Sequence, residues 1–176
     1  MGGLRISDIS LCDGRNPDAA AHLNRTDVLI LIGGHVPTQN RFLRHIRLRE
    51  RLAAYRGIVV AWSAGSMNCA DVVYAGPELD GEAVDPFFER WLPGLGITGR
   101  NIFPHFQALR DSHLDELRLI EDITLPDSIG HEFLALNDGS YLLIDGARET
   151  LFGEAYLIKD GRLRRICKEN ESVVLK

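Results

Sequence analysis

Residues 27–71, DVLILIGGHVPTQNRFLRHIRLRERLAAYRGIVVAWSAGSMNCAD, contain two apolar runs joined by an amphipathic segment. The first run, DVLILIGG, ends at a glycine pair, and the second, IVVAW, ends at Ser63. Uninterrupted apolar runs of this length are typical of strands buried on both faces of a parallel sheet. Between them, Pro37 favours a helix start and Gly57 a helix end, with apolar residues on one stripe. This order predicts a βαβ unit in an open, mostly parallel α/β sheet.

The ends of the two predicted strands are the expected place for chemistry. Gly33-Gly34 follows the first strand and Ser63 follows the second. Ligands of open α/β sheets bind beyond the carboxyl ends of the strands. We therefore expect a crevice shared by the glycine pair and the serine.

The rest of the chain extends this pattern and then changes character at residue 132. The predicted elements are a half-buried strand at 4–11, a short helix within 16–25, a long loop with one short helix at 74–101, a short strand at 101–106, a helix at 112–123, and antiparallel strands with Asp-Gly turns from 132 onward. The length of 176 residues suits one domain, so we predict a single domain over 1–176.

Composition excludes several classes of function. The formal net charge is -5, which does not favour nucleic acid as a partner. The longest apolar runs have the length of strands, and no leader-like segment opens the sequence, so we predict no membrane association. Cys12, Cys69 and Cys167 are widely spaced and odd in number, which argues against a disulfide framework or a zinc site. A cytoplasmic location is expected.

Ala61-Trp62-Ser63-Ala64-Gly65 matches the small-x-Ser-x-Gly pattern of a nucleophile elbow, with Ala at the usual first glycine. In that turn a serine is presented at the start of the following helix. The alternative is a serine that only caps the helix. An acyl-transfer serine also needs an oxyanion hole, for which the backbone N–H groups of Gly34 and Ala64 are the candidates.

A serine nucleophile needs a histidine base oriented by a carboxylate. Of the six histidines, His105 is distinctive because it ends the short apolar strand in NIFPHF, although a buried structural histidine is an equal alternative. The loop after the elbow offers four candidate carboxylates, between which the residue pattern does not choose: Glu78, Asp80, Glu82 and Asp85.

Four segments together resemble the family of dipeptidase E (aspartyl dipeptidase) and cyanophycinase: VLILIGGHVPTQNRFL, WSAGSMNCAD, AVDP and NIFPHFQ. These are serine peptidases of the class I glutamine amidotransferase-like fold. The resemblance implies a three-layer α/β domain with a mostly parallel open sheet, helices on both faces and antiparallel strands at the C-terminus. It implies Ser63 as nucleophile, His105 as base, and Gly34 and Ala64 as oxyanion donors. Asp80 is the implied orienting acid, from its spacing to Asp85-Pro86, with Glu78 as the fallback.

The resemblance also carries expectations about ligands. It implies a small peptide substrate, with N-terminal aspartyl peptides as candidates, and neither metal nor organic cofactor. The acidic side chain of an aspartyl peptide would need a cation in the site. Arg41 is a candidate, although a solvated residue on the surface of a helix is the stronger interpretation of it. His35 replaces the glycine or small polar residue common after the glycine pair, which predicts a reshaped pocket.

The family's first strand and helix units have no counterpart ahead of residue 4. Either the sheet is shorter here or the sequence is truncated; a missing unit would leave one side of the parallel sheet uncovered, which predicts a homodimer across that edge.

Two other functions fit parts of the pattern. The first is a catalytically inactive amidotransferase-like binding or regulatory module. Glutaminase activity is not expected, because those enzymes carry cysteine at the elbow and this chain carries Ser63. The second is an α/β-hydrolase esterase, which is disfavoured because too few residues separate Ser63 from His105.

Overall fold

The structure is a computed structural model that describes residues 5–175. After a 3-10 helix at Pro17–Arg25, the elements of the first half are β1 Val28–Leu31, α1 Val36–His45, α2 Leu48–Leu52, β2 Ile58–Ala61, α3 Ala64–Met67, β3 Val72–Tyr74, β4 Trp91–Pro93, β5 Asn101–Phe103 and α4 Phe106–Leu109. They are followed by β6 His113–Leu114, β7 Leu117–Arg118, a π-helical turn at Leu119–Thr124, α5 Leu125–Asp127, β8 Glu132–Leu136, β9 Tyr141–Asp145, β10 Arg148–Phe152, β11 Ala155–Lys159, β12 Arg162–Cys167 and β13 Ser172–Val174.

The predicted βαβ unit is present. β1 and β2 pair in parallel, from Val28 opposite Ile58 to Leu31 opposite Ala61. The connecting helical segment is two helices, because Arg47 adopts a left-handed φ of 54° after α1 ends. α1, α2 and the 3-10 helix contribute to the hydrophobic cluster under one face of the pair. The short helix predicted within 16–25 corresponds to the 3-10 helix.

The other face of the β1–β2 pair is solvent-exposed. We call it the open face; its residues are Val28, Ile30, Ile32, Ile58, Val60 and Trp62. The sequence predicted strands buried on both sides, and this is wrong for the described residues. The elements that pack on the pair all lie on one side, so alternate side chains along each strand stay in contact with solvent.

The C-terminal part contains two packed sheets. One has the strand order β12-β11-β8-β5 and the other β13-β10-β9. Only the β5–β8 contact is parallel in these two sheets. Side chains of both sheets, including Leu134 and Leu151, form one cluster. The opposite side of the four-stranded sheet packs on Phe106 and the π-helical turn. The predicted antiparallel C-terminal strands are confirmed.

Asp-Gly turns connect some of these strands as expected. Asp160 and Gly161 have φ values of 49° and 72° and join β11 to β12 in a two-residue hairpin loop. Positive φ at both positions is the requirement of a type I′ turn, which explains the Asp-Gly pair.

Three sequence-based elements differ from the structure. Leu4 lies outside the described residues, and residues 5–11 are irregular and exposed instead of a strand. Residues 113–118 form the β6–β7 hairpin instead of part of a helix, because Asp115 and Glu116 adopt φ values of 51° and 67°. The loop at 74–101 contains β4, antiparallel to β3, where we expected a short helix.

The fold class is α/β, with mixed sheets and few helices. Among the described strands only β1–β2 and β5–β8 pair in parallel, so the sheets are less parallel than the sequence predicted. The short turns and hairpins after residue 70 favour local antiparallel pairing over long crossovers. No helix within residues 5–175 is both long and apolar enough to span a bilayer.

Candidate active site

Ser63 occupies a sharp turn between β2, which ends at Ala61, and α3, which begins at Ala64. Its backbone angles are φ 53° and ψ -131°, a conformation that non-glycine residues rarely adopt. Gly65 permits this turn, because a Cβ atom there would collide with the backbone carbonyl of Leu31 at the end of β1. Strand, strained serine and close-packed helix together form the geometry of a nucleophile elbow.

The glycine pair after β1 lies against the serine. A Cβ atom at Gly33 would come within 3.1 Å of Ser63 Cβ and 3.3 Å of Ser63 Oγ. Gly34 has a φ of 149° and open space around its Cα. Within residues 5–175 neither the Gly34 amide nor the Ala64 amide donates a hydrogen bond. In the described part of the chain, neither N–H group is therefore used by another hydrogen bond.

These residues line one cleft of about 90 Å³. It brings together five residues singled out from the sequence: Gly34, Ser63, Ala64, Glu78 and His105. Its other lining residues are mainly apolar, including Met67, Tyr74 and Phe103. The cleft thus joins the ends of β1 and β2 to the end of β5, although these strands belong to different sheets.

His105 follows β5 in a left-handed conformation, with φ 58° and ψ 28°, and precedes α4. Its Nδ1 atom lies 2.6 Å from Oδ1 of Asp138. Asp138 is positioned in turn by its own amide, which donates to Gln107 Oε1 at 2.9 Å. The His105 and Asp138 side chains are 45% and 59% exposed, so the pair lies at the cleft's solvent edge. No hydrogen bond joins Ser63 to His105 in the described part of the chain.

The carboxylate beside the histidine differs from the one selected from the sequence. Asp80 is exposed, does not line the cleft and is not paired with His105. The reason is the conformation of its loop, in which the Asp115 carboxylate accepts hydrogen bonds from the Gly81 and Ala83 amides. The fallback Glu78 lines the cleft, but within residues 5–175 no hydrogen bond or ion pair joins it to the His105 imidazole.

Asp138 was missed because it lies far along the chain in what looked like an ordinary turn. It follows β8, and His105 follows β5, with Phe103 opposite Ala135 in the parallel register. The carboxyl ends of paired parallel strands lie at one edge of a sheet. The sequence feature that points to Asp138 is therefore the Asn137-Asp138-Gly139 turn directly after the apolar run FLAL. It becomes informative only when β8 is known to pair with β5.

The side chain of Glu78 contacts the first residue of α1. Its Oε1 atom accepts a hydrogen bond from the amide of Val36, the first residue of that helix, at 3.2 Å. Burial of the carboxylate raises the pKa of Glu78, and the Val36 N–H and nearby His35 partly oppose this shift. The residue as a whole is exposed, whereas the hydrogen bond of its Oε1 atom to the Val36 amide is partly buried.

Glu82 holds the backbone next to Glu78. Its Oε2 atom accepts hydrogen bonds from the amides of Glu78 at 2.8 Å and Leu79 at 3.0 Å. Its Oε1 atom lies 2.9 Å from Nε2 of His35, in an alignment that forms no hydrogen bond. Nδ1 of His35 is 2.9 Å from the Thr38 hydroxyl. His35 therefore lies against Glu82 and Thr38 and is not among the residues that line the cleft.

The remaining predicted groups stay outside the cleft. Arg41 is exposed and does not line it. Within residues 5–175 no group of three or more His, Cys, Asp or Glu side chains is arranged to hold a metal ion.

No protein-family model matches this chain, and no curated protein is significantly similar to it.

Proposed function

We propose that this chain is a serine hydrolase, a peptidase that cleaves small peptides. The observation that carries the proposal is the strained backbone of Ser63, which lies in one cleft with His105 and with two free amides. A serine that only caps a helix would not require positive φ, because helix N-caps are ordinarily extended. The class I glutamine amidotransferase-like fold is part of the same proposal, supported by the βαβ unit and by the elbow at its end.

In the proposed mechanism the Ser63 hydroxyl attacks the scissile carbonyl while His105 takes its proton. Nδ1 of His105 faces Asp138, which leaves Nε2 as the nitrogen for this transfer. The amides of Gly34 and Ala64 stabilise the negative charge on the carbonyl oxygen. His105 then protonates the leaving amine, and a water molecule, deprotonated by the same imidazole, hydrolyses the acyl-enzyme.

Ser63 and His105 must draw together for this reaction, because they share the cleft without a hydrogen bond. Catalytic hydrogen bonds are often long in ligand-free enzymes and tighten when substrate binds. The exposed position of the His105–Asp138 pair allows such a movement, since few packed side chains restrain it.

No step needs a metal or an organic cofactor, so we propose none. The three cysteines are unpaired, which supports the proposal of a reducing, cytoplasmic environment. The open face supports the proposal of a homodimer, because a large exposed apolar patch is typical of interaction surfaces.

The proposal is tested by labelling the chain with a fluorophosphonate and by assaying hydrolysis of dipeptides and p-nitrophenyl acetate. We expect covalent labelling and turnover in the wild type and in Ser10→Ala, an exposed control, and neither in Ser63→Ala. A folded wild type that is neither labelled nor active would overturn the proposal and favour the inactive binding module.

The choice of acid is tested by comparing Asp138→Asn with Asp80→Asn. We expect kcat to fall about a hundredfold or more in Asp138→Asn, because an amide no longer holds the imidazole in the required tautomer. Asp80→Asn should stay within about twofold of wild type, as surface substitutions ordinarily do. The reverse ranking would restore Asp80 as the orienting acid.

A further inference from the structure

In the described part of the chain, the cleft is lined by an acidic side chain and by no basic side chain of the Lys or Arg type. Among its described lining residues Glu78 has the one carboxylate, and none is Lys or Arg. In the proposed mechanism His105 is the base that accepts the Ser63 proton, so it does not serve as a cation for the substrate. An anionic substrate group would therefore find no side-chain cation among these residues.

The start of α1, whose backbone N–H groups could replace such a cation, is already in contact with Glu78. The first turn of a helix binds anions through its free N–H groups and the helix dipole. α1 is ten residues long, and the carboxylate of Glu78 accepts the Val36 N–H at its first residue. A substrate carboxylate at this position would have to displace Glu78 and lie next to its negative charge.

Glu78 is also held in place. Glu82 binds the backbone amides of Glu78 and Leu79, and Asp115 binds those of Gly81 and Ala83. These bonds hold the backbone of the segment and the Val36 N–H holds the carboxylate, so less conformational entropy is lost when a ligand binds.

Burial of the carboxylate raises the pKa of Glu78, which means that its negative charge lacks full solvation or a full partner. A cationic ligand group would supply that partner.

In a peptide cut after its first residue, the α-ammonium is one carbon from the scissile carbonyl. Any carboxylate that binds it must line the cleft that holds the nucleophile, as Glu78 does. We infer that Glu78 binds the α-ammonium of the substrate, so that the enzyme takes small peptides with a free N-terminus and a neutral or basic first side chain, and rejects aspartyl peptides. This inference rests on the proposed function and replaces the aspartyl specificity expected from the sequence.

The test compares four substrates that differ at one end: Ala-Leu, Lys-Leu, Asp-Leu and N-acetyl-Ala-Leu. In the wild type we expect kcat/KM for Ala-Leu and Lys-Leu to exceed that for Asp-Leu and the acetylated peptide by about tenfold or more, the usual range for a hydrogen bond to a charged group. In Glu78→Gln the ratio of Ala-Leu to Asp-Leu should fall about tenfold, mainly through KM. Glutamine keeps an acceptor oxygen for the Val36 N–H, so the start of α1 is preserved.

Glu89→Gln is the matched control, because Glu89 is an exposed glutamate in the same loop that does not line the cleft. It should leave the ratio at the wild-type value. The inference is overturned if the wild type prefers Asp-Leu, if Glu78→Gln leaves the ratio unchanged, or if no dipeptide is cleaved. Hydrolysis of p-nitrophenyl acetate separates the proposed serine hydrolase from the proposed role of Glu78. If Ser63→Ala loses this hydrolysis, the serine hydrolase stands even when the inference about Glu78 fails. If Ser63→Ala keeps it, both proposals fail.

Discussion

The two parallel strand pairs of this molecule, β1–β2 and β5–β8, are both apolar but have different surroundings. In β5–β8 both faces are covered, with Phe133 buried on one face and Leu134 on the other. In β1–β2 one face is covered, whereas Ile58 on the open face is 65% exposed. The comparison shows that an apolar run specifies a strand but not its burial, which depends on what the rest of the chain places against it.

The largest effect is expected from a substitution in the covered strand pair, β5–β8. Phe133→Ala should lower the free energy of unfolding by about 3–5 kcal/mol, because it removes a ring from a closed cluster and leaves a cavity. In the monomer, at low protein concentration, Ile58→Ala on the open face should cost less than about 1 kcal/mol, since little apolar area is lost from the interior. Urea denaturation of both variants at that concentration measures this difference, and equal losses would show that the chain itself covers the open face.

The second effect concerns the close approach of α3 to β1. Gly65→Ala should destabilise the chain by about 1–3 kcal/mol and reduce labelling of Ser63, because the new methyl group collides with the Leu31 carbonyl. Gly99→Ala is the matched control, with free space around its Cα. Thermal unfolding together with fluorophosphonate labelling measures both consequences. A Gly65→Ala protein with wild-type stability and labelling would contradict this packing of the elbow.

The third effect tests whether a second copy of the chain covers the open face. We expect the wild type to be a dimer by light scattering and Ile58→Lys/Val60→Thr to be a monomer, because two polar side chains would be buried without partners. Leu143→Lys, on a half-exposed residue of β9, should leave the dimer intact. A monomeric wild type, or equal dissociation of both variants, would refute dimerisation through this face.

The smallest effect concerns an ion pair at the π-helical turn that packs on the β5–β8 pair. Arg118 binds Asp122 through two side-chain hydrogen bonds and lowers the pKa of that carboxyl to about 2. Because this pKa lies below the unfolded value, the pair stabilises the fold above pH 3.8 and loses its effect as pH falls towards 2. Asp122→Asn should therefore lower Tm slightly at pH 7, with the difference from wild type shrinking below pH 4. A Tm difference that is independent of pH would exclude an ionic origin.

The sequence predicted the parts of the fold that depend on neighbouring residues. The βαβ unit followed from two apolar runs around an amphipathic segment, and the β11–β12 hairpin followed from Asp160-Gly161. The helix expected at 112–123 is helical only from Leu119, because its apolar spacing did not reveal that Asp115 and Glu116 adopt positive φ. Asp115 is held there by hydrogen bonds to a loop more than thirty positions away, so its conformation depends on tertiary contacts.

The candidate site divides in the same way. Ser63, Gly34 and Ala64 were identifiable because the elbow is a local turn that needs small residues at fixed offsets. His105 was identifiable from its position at a strand end, and the structure brings it into the same cleft. Its partner Asp138 was not, because the two meet only through the pairing of β5 with β8.

By itself the sequence determined the β1–α–β2 unit, the β11–β12 turn and which serine lies at a strained strand end, since backbone sterics and side-chain period act over a few residues. Only the tertiary structure decided which sheet face stays open, which carboxylate meets His105, and that Glu78 occupies the start of α1. These outcomes depend on contacts between distant segments, and the free energy of such contacts comes from surfaces that the chain brings together only when it folds.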